Sequence, residues 1–478
     1  MRDRVIAVVL FVVVSSVYYA TAVGISSSND GSHYALLRAM VDQGQFRIDD
    51  YAQHAEGNDL AIRDDVVYSD RPPGTALMAV PFYVIGKVLP APIRPMYARY
   101  DEGFPPLAYI VMLPVITGAA AVVILYLVLR SYEIGQGAAL ATSLASAFGT
   151  TLWKYGSVMF SHAPSALLIM GGVALAIRIG REGRIRPLLG LALGFVLGLS
   201  VVVEYSNTIF VVVVLIYITA TVGRRVIRGR GEWIGGGALA VGMVLPIGFL
   251  LYYNTINFGG PFFTSYKYAI NYPWAASFGT TFDVPLWKGL PGILWYGLDL
   301  ADQENQGILL LMPVLLIGAA GLWAYLRRSV REAIFVLGLF LIYLLLFAKH
   351  HTFSGFTADT RYLTPFLGLW FIPISFALET VFTLRVGIAK AIALLIVYGL
   401  MFLSVRNIMV HIGFSYGYNL DPGLIERQAT TPKNWMYILG NIFVNWLNLP
   451  LLWGIEGLLG AILVGVWRWR DKRKGAWQ

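Results

Sequence analysis

Long apolar runs separated by short polar connections dominate the chain. They lack the two-residue alternation of a membrane barrel strand. Each is about the length a helix needs to cross roughly 30 Å of hydrocarbon. Backbone groups there find no water, so the runs are expected to be helices. Twelve are predicted, at 5–25, 104–129, 137–157, 160–178, 187–204, 206–223, 234–256, 305–326, 332–349, 362–382, 387–409 and 447–467. The first follows MRDR, and no small-x-small site closes it, so it is read as a retained helix rather than a signal peptide. One connection differs in kind: residues 26–103 form a long polar segment directly after the first run. Within it, Tyr34, Leu37, Met40 and Val41 fall at helical spacing, and PPGTALMAVPFYVIGKVLP (72–90) is too short and too proline-rich to cross. Both are expected to be helices lying along the membrane surface.

Composition fits this picture. The chain has 478 residues, 57% of them hydrophobic and 13% charged, with a mean hydropathy of +0.65; a soluble chain would carry about 25% charge. The reading is an all-α integral membrane protein, one polytopic domain over 1–478 with about twelve transmembrane helices. The net charge of +9 does not point to nucleic acid, because the cations cluster in short loops between runs. Arg2 and Arg4, Arg130, Arg178 to Arg186, Arg224 to Arg230, Arg327 to Arg331, Arg385 with Lys390, and the tail RWRDKRKGAWQ all fall on one side. Positive loops stay cytoplasmic. Both termini are therefore expected inside a cell (plasma or inner) membrane, and 26–103, 157–162, Glu204 to Asn207, 257–304, 350–361 and 410–446 outside. There is no cysteine, which excludes disulfides and thiolate chemistry.

Candidate chemistry gathers on the outer side. Asp30 follows Ser26–Ser28 and Asn29 at a helix start, where a carboxylate either caps the helix or, partly desolvated at the membrane boundary, acts as a general base. YSDRPPG (68–74) sets Asp70 and Arg71 on a stiff Pro-Pro turn; a rigid Arg suits a phosphate, and a helix-initiating turn with a solvated Arg is the plainer alternative. His162, near Lys154 and Tyr155, faces a cavity or packs on a helix terminus. Glu204 lies between two apolar runs, where a carboxylate is paired or at the interface. NFGGPFFTSYKYA (257–269) places Lys267 between tyrosines, as a groove for a chain or sugar ring or as an aromatic belt. AKHHTFSGFTADTRYLTPF (348–366) gathers Lys349, His350, His351, Asp359 and Arg361 before a run. Adjacent histidines point apart and no third ligand sits at useful spacing, so no metal site is assigned. Arg361 at a helix mouth reads as a phosphate clamp.

The order of these motifs resembles the GT-C superfamily of membrane glycosyltransferases, more narrowly the protein O-mannosyltransferase and aminoarabinose-lipid A transferase type. The resemblance covers most of the chain. It rests on Asp30 with Tyr34, Pro72-Pro73-Gly74, Tyr155 to His162, Glu204-Tyr205, Phe258-Gly259-Gly260-Pro261 and Arg361-Tyr362-Leu363. It implies a sugar donor on a polyprenyl phosphate, a glycan, lipid or protein acceptor, and inversion at the anomeric carbon. It implies Asp30 as base, Arg361 with Lys267 or Arg71 at the phosphate, and Tyr34, His162, Glu204 and Tyr362 around the substrate. No cofactor is required in that branch; other branches use a divalent cation. Many relatives carry Asp-Glu where this chain has Asp30-Gly31, which puts a carboxylate pair in question. A transporter or flippase of lipid-linked sugars would need polar residues at mid-bilayer and paired broken helices. The third reading is a non-catalytic assembly factor.

Overall fold

The computed structural model describes residues 2–93, 104–228, 230–414 and 422–475; the end of the first loop, 94–103, lies outside them. The protein is a helical membrane protein. Among the described residues, eight helices are long and apolar enough to cross a bilayer: Arg2–Ala20, Leu107–Ser131, His162–Glu182, Tyr205–Gly223, Trp233–Phe258, Val330–Ala348, Arg361–Thr383 and Ile388–Phe414. Gly74–Val88, Pro187–Val203 and Leu449–Ile462 are apolar but shorter. Two expected spans are interrupted. The run at 137–157 breaks after Phe148, and Thr150 caps a new turn by accepting the Leu152 N–H at 3.2 Å. The run at 305–326 breaks before Pro313, whose ring cannot continue a helix.

Glycine spacing brings two helices unusually close. Gly190, Gly194 and Gly198 recur every fourth residue of Pro187–Val203, so they share one face. That face meets Arg230–Phe258, and a side chain at Gly194 would overlap the Leu239 carbonyl. Small residues at such a seam let backbones approach where lipid offers no hydrophobic drive. Gly194→Val is expected to lower stability by about 1–3 kcal/mol through overpacking, visible as an earlier thermal unfolding midpoint in detergent.

The first loop has its own small architecture. Ser28–Arg38 is helical, but it is not amphipathic: Asn29 to Leu37 are all buried. The Asp49–Ala55 turn covers it, and Gly31 lies against the His54 carbonyl, where no side chain would fit. Leu60–Arg63 and Val66–Ser69 form a hairpin that the polar sequence hides, paired Leu60 to Ser69. Asp64 and Asp65 turn it with φ of 52° and 61°, the left-handed pair a two-residue turn demands. The hairpin leads through Asp70 to Pro73 into the Gly74–Val88 helix, whose first residue abuts the Val202–Val203 backbone.

Candidate active site

That route sets Asp70 and Arg71 at the end of the Pro187–Val203 helix. Ser69 Oγ pairs with Ser32 Oγ at 2.7 Å and accepts the Arg71 N–H at 3.1 Å. Ser265 Oγ donates to the Asp70 carbonyl at 2.6 Å. Four other segments converge on the same place: Ser161 and His162 at one helix start, Glu204 and Tyr205 at the next turn, residues 264–282, and the loop that ends in Arg361. Together they enclose a cavity of about 510 Å³. Its lining combines charged groups, Asp70, Arg71, Glu204 and Arg361, with small polar residues and with aromatic rings that include Tyr266, Tyr272, Trp274, Phe347 and Tyr362.

The charged groups are poised rather than satisfied. Asp70 is fully buried, with Arg71 Nε 3.1 Å from Oδ1 and Oδ2 without a hydrogen-bond partner. Burial, tempered by Arg361, pushes the Asp70 carboxyl up to about 8. Arg71 is also paired with Asp59, and Asn29, with its amide oxygen turned inward, accepts from its Nε and Nη2 at 3.2 and 3.3 Å. Glu204 accepts from Ser161 Oγ, and burial raises its carboxyl above the usual range. His350 lines the cavity and accepts the Thr352 N–H on Nδ1, leaving its proton on Nε2; burial pushes it down to about 3, so it is neutral.

Arg361 is buried with Nε unpartnered. Its guanidinium lies 5.2 Å from the Tyr362 ring and 5.5 Å from Phe160. Gly355, at φ +64°, passes so close that a side chain there would strike Arg361 Nε. A buried ion pair anchors this loop: Lys154 Nζ meets Asp359 Oδ2 at 2.7 Å, and Tyr155 OH donates to Oδ1 at 2.8 Å. Removing one partner strands a buried charge, so Lys154→Met is expected to cost about 3–5 kcal/mol, whereas Lys154→Met with Asp359→Leu recovers most of it. Chemical denaturation of the single and double variants checks this.

No protein-family model matches the sequence, and no curated protein matches it. Solved structures do match. ArnT from Cupriavidus metallidurans, bound to undecaprenyl phosphate, superposes with a TM-score of 0.51 at 15% identity over 92% of this chain and 76% of its own. The oligosaccharyltransferase AglB from Archaeoglobus fulgidus, in complex with an inhibitory peptide and a dolichol-phosphate, gives 0.52 at 13% identity over 91% of this chain and 59% of its own. The chain has the GT-C fold. It spans about three-fifths of the archaeal protein's length.

Within the GT-C fold, five of the eight residues given a role from the sequence meet at the cavity: Arg71, His162, Glu204, Arg361 and Tyr362. Three do not line it. Lys267 is exposed, its ammonium 4.0 Å from the Phe263 ring. Tyr34 is buried edge-on against His54, at 4.8 Å between ring centroids. Asp30 occupies the third position of its helix and reaches back as a cap. It accepts from Ser26 N–H at 2.8 Å, Ser27 N–H at 2.7 Å and Ser27 Oγ at 2.6 Å. Burial raises its carboxyl to about 6 against the pull of those bonds. The carboxylate that faces the cavity is Asp70, in the YSDRPPG turn but without an assigned role from sequence. Among the described residues, no three His, Asp or Glu side chains come together to hold a metal.

Proposed function

We propose that this protein is an inverting glycosyltransferase, a single polytopic domain that moves a sugar from a polyprenyl-phosphate donor to an acceptor hydroxyl on the extracytoplasmic face of the cell membrane. One observation carries the reading. A buried carboxylate, ion-paired with Arg71 through one oxygen, shares a cavity with two guanidinium groups, and many of the other lining residues are aromatic. An acceptor hydroxyl is a poor nucleophile and needs a base; a departing phosphate needs fixed positive charge. Asp70 takes the acceptor proton as the hydroxyl oxygen bonds to the anomeric carbon. The bond from that carbon to the phosphate oxygen breaks on the opposite side. Its electron pair leaves with the phosphate, which Arg71 and Arg361 hold. The base role thus passes from Asp30 to Asp70, with Glu204 as the second cavity carboxylate. The aromatic wall accepts the sugar face or the first apolar part of the lipid. The ligands named for ArnT and AglB, undecaprenyl phosphate and dolichol-phosphate with a peptide, support a lipid-phosphate donor. The basic loops support cytoplasmic termini and an outward-facing site.

The pH profile of transfer tests the base. Only ionised Asp70 accepts a proton. With its carboxyl at about 8, most of the protein is protonated at neutral pH, and kcat/KM is expected to climb as pH rises and level off above that value. A profile that falls as pH rises through neutrality would exclude Asp70 as the base.

A further inference from the structure

We propose that the Leu286–Leu294 helix is an interfacial anchor seated in the lipid leaflet on the cavity side. The helix is inverted relative to an ordinary surface helix. Gly289, Gly292 and Ile293 face the protein, while Leu286, Trp287 and Pro291 face outward. Trp287 is 79% exposed and Trp295, one residue past the helix, 49%. Residues 284–298 carry a single charge, Lys288, and its Nζ turns back to the Asp299 carbonyl at 3.3 Å. A solvated face made of large apolar side chains without charge demands a cover.

Its position names that cover. Gly289 lies against the carbonyl of Ala348, the last residue of the Val330–Ala348 span. The helix therefore packs where a span leaves the hydrocarbon, and that span itself exposes large apolar side chains, Leu341 and Ile342. Nine residues rise only about 13 Å at about 1.5 Å each, too short to cross. Tryptophans at that level have the amphipathic rings that settle among headgroups. The segment immediately before the helix, Trp274 to Phe282, lines the cavity. Seating the helix in the leaflet holds that wall, and the cavity mouth, at headgroup depth.

The chain has no cysteine, so Trp287→Cys introduces one thiol for an environment-sensitive fluorophore. Leu286→Cys is the second site should the first variant misfold, and Gln53→Cys, exposed in the first loop, is the aqueous control. The full-length protein is placed in phosphatidylethanolamine–phosphatidylglycerol vesicles. Emission at 286 and 287 should be lost to lipid nitroxides near the headgroup and spared by aqueous iodide, with the reverse at 53. Iodide quenching at 287 equal to that at 53 would overturn the proposal. Protection from both quenchers would also overturn it, by showing that protein covers the face. The readout is independent of catalysis, so it stands or falls apart from the transferase reading.

Discussion

Asp70→Asn lowers sugar transfer about 10²- to 10⁴-fold, the usual contribution of a positioned general base, with the loss in kcat rather than KM. The amide is nearly isosteric and carries no charge, and the site already holds Asp70 largely protonated near neutrality, so the variant should fold. Asp30→Asn behaves differently. Its amide oxygen still accepts the Ser27 N–H that Asp30 now accepts at 2.7 Å. Its amide nitrogen, however, replaces the oxygen that accepts the Ser26 N–H at 2.8 Å, so a buried cap bond is lost and stability falls by about 1–3 kcal/mol, with transfer by the folded protein largely retained. Measuring both variants side by side, with folding checked by thermal unfolding, separates the two carboxylates. Loss in Asp30→Asn with retention in Asp70→Asn would return the base role to Asp30.

Arg361→Ala reduces kcat about 10²- to 10³-fold, the scale of losing one preorganised donor at a developing negative charge. The effect is large because Arg361 is buried, has Nε unengaged, and is braced by Tyr362, Phe160 and Gly355. Arg361→Lys does not restore the rate. An ammonium is a point charge and cannot reproduce a planar fork stacked on rings. Single-turnover rates with saturating donor distinguish lost chemistry from lost binding. Full activity in Arg361→Lys would show that charge alone suffices there.

The architecture was legible where it depends on apolar run length. Among the described residues, eight of the twelve runs read from sequence correspond to helices long enough to cross, two to shorter helices and two to broken ones; a backbone in hydrocarbon has no other regular solution than a helix. The breaks were not read, although the sequence marks them: Gly149 and Thr150 stand inside one run and Pro313 inside the other. The first loop was misread in a specific way. Ser28–Arg38 shows helical apolar spacing, yet its polar residues are buried by the Asp49–Ala55 turn and the hairpin, partners that local pattern cannot reveal. The glycine spacing at 190, 194 and 198 was present in the sequence but was not read as a close seam.

At the site, Arg71, His162, Glu204 and Arg361 were legible because charged and imidazole groups at the ends of apolar runs are rare and need a reason. Asp30 was favoured over Asp70 through family resemblance, and sequence offers no way to tell which of two nearby acids spends its oxygens on a helix cap. Lys267 was placed at the phosphate by family resemblance, and its position between tyrosines was read as a groove; its ammonium lies against the exposed ring of Phe263. The cavity-lining aromatics Tyr266, Tyr272 and Trp274 come from a loop without periodicity, so nothing along the chain marked which way they point.

The central claim is sugar transfer from a lipid phosphate. Purified protein reconstituted in vesicles with radiolabelled polyprenyl-phosphate sugars and a total-envelope acceptor extract tests it directly. The account predicts label moving to an acceptor and free polyprenyl phosphate appearing in equal amount. Intact donor that only changes leaflet, with no label transferred from any sugar, would contradict it and favour a transporter.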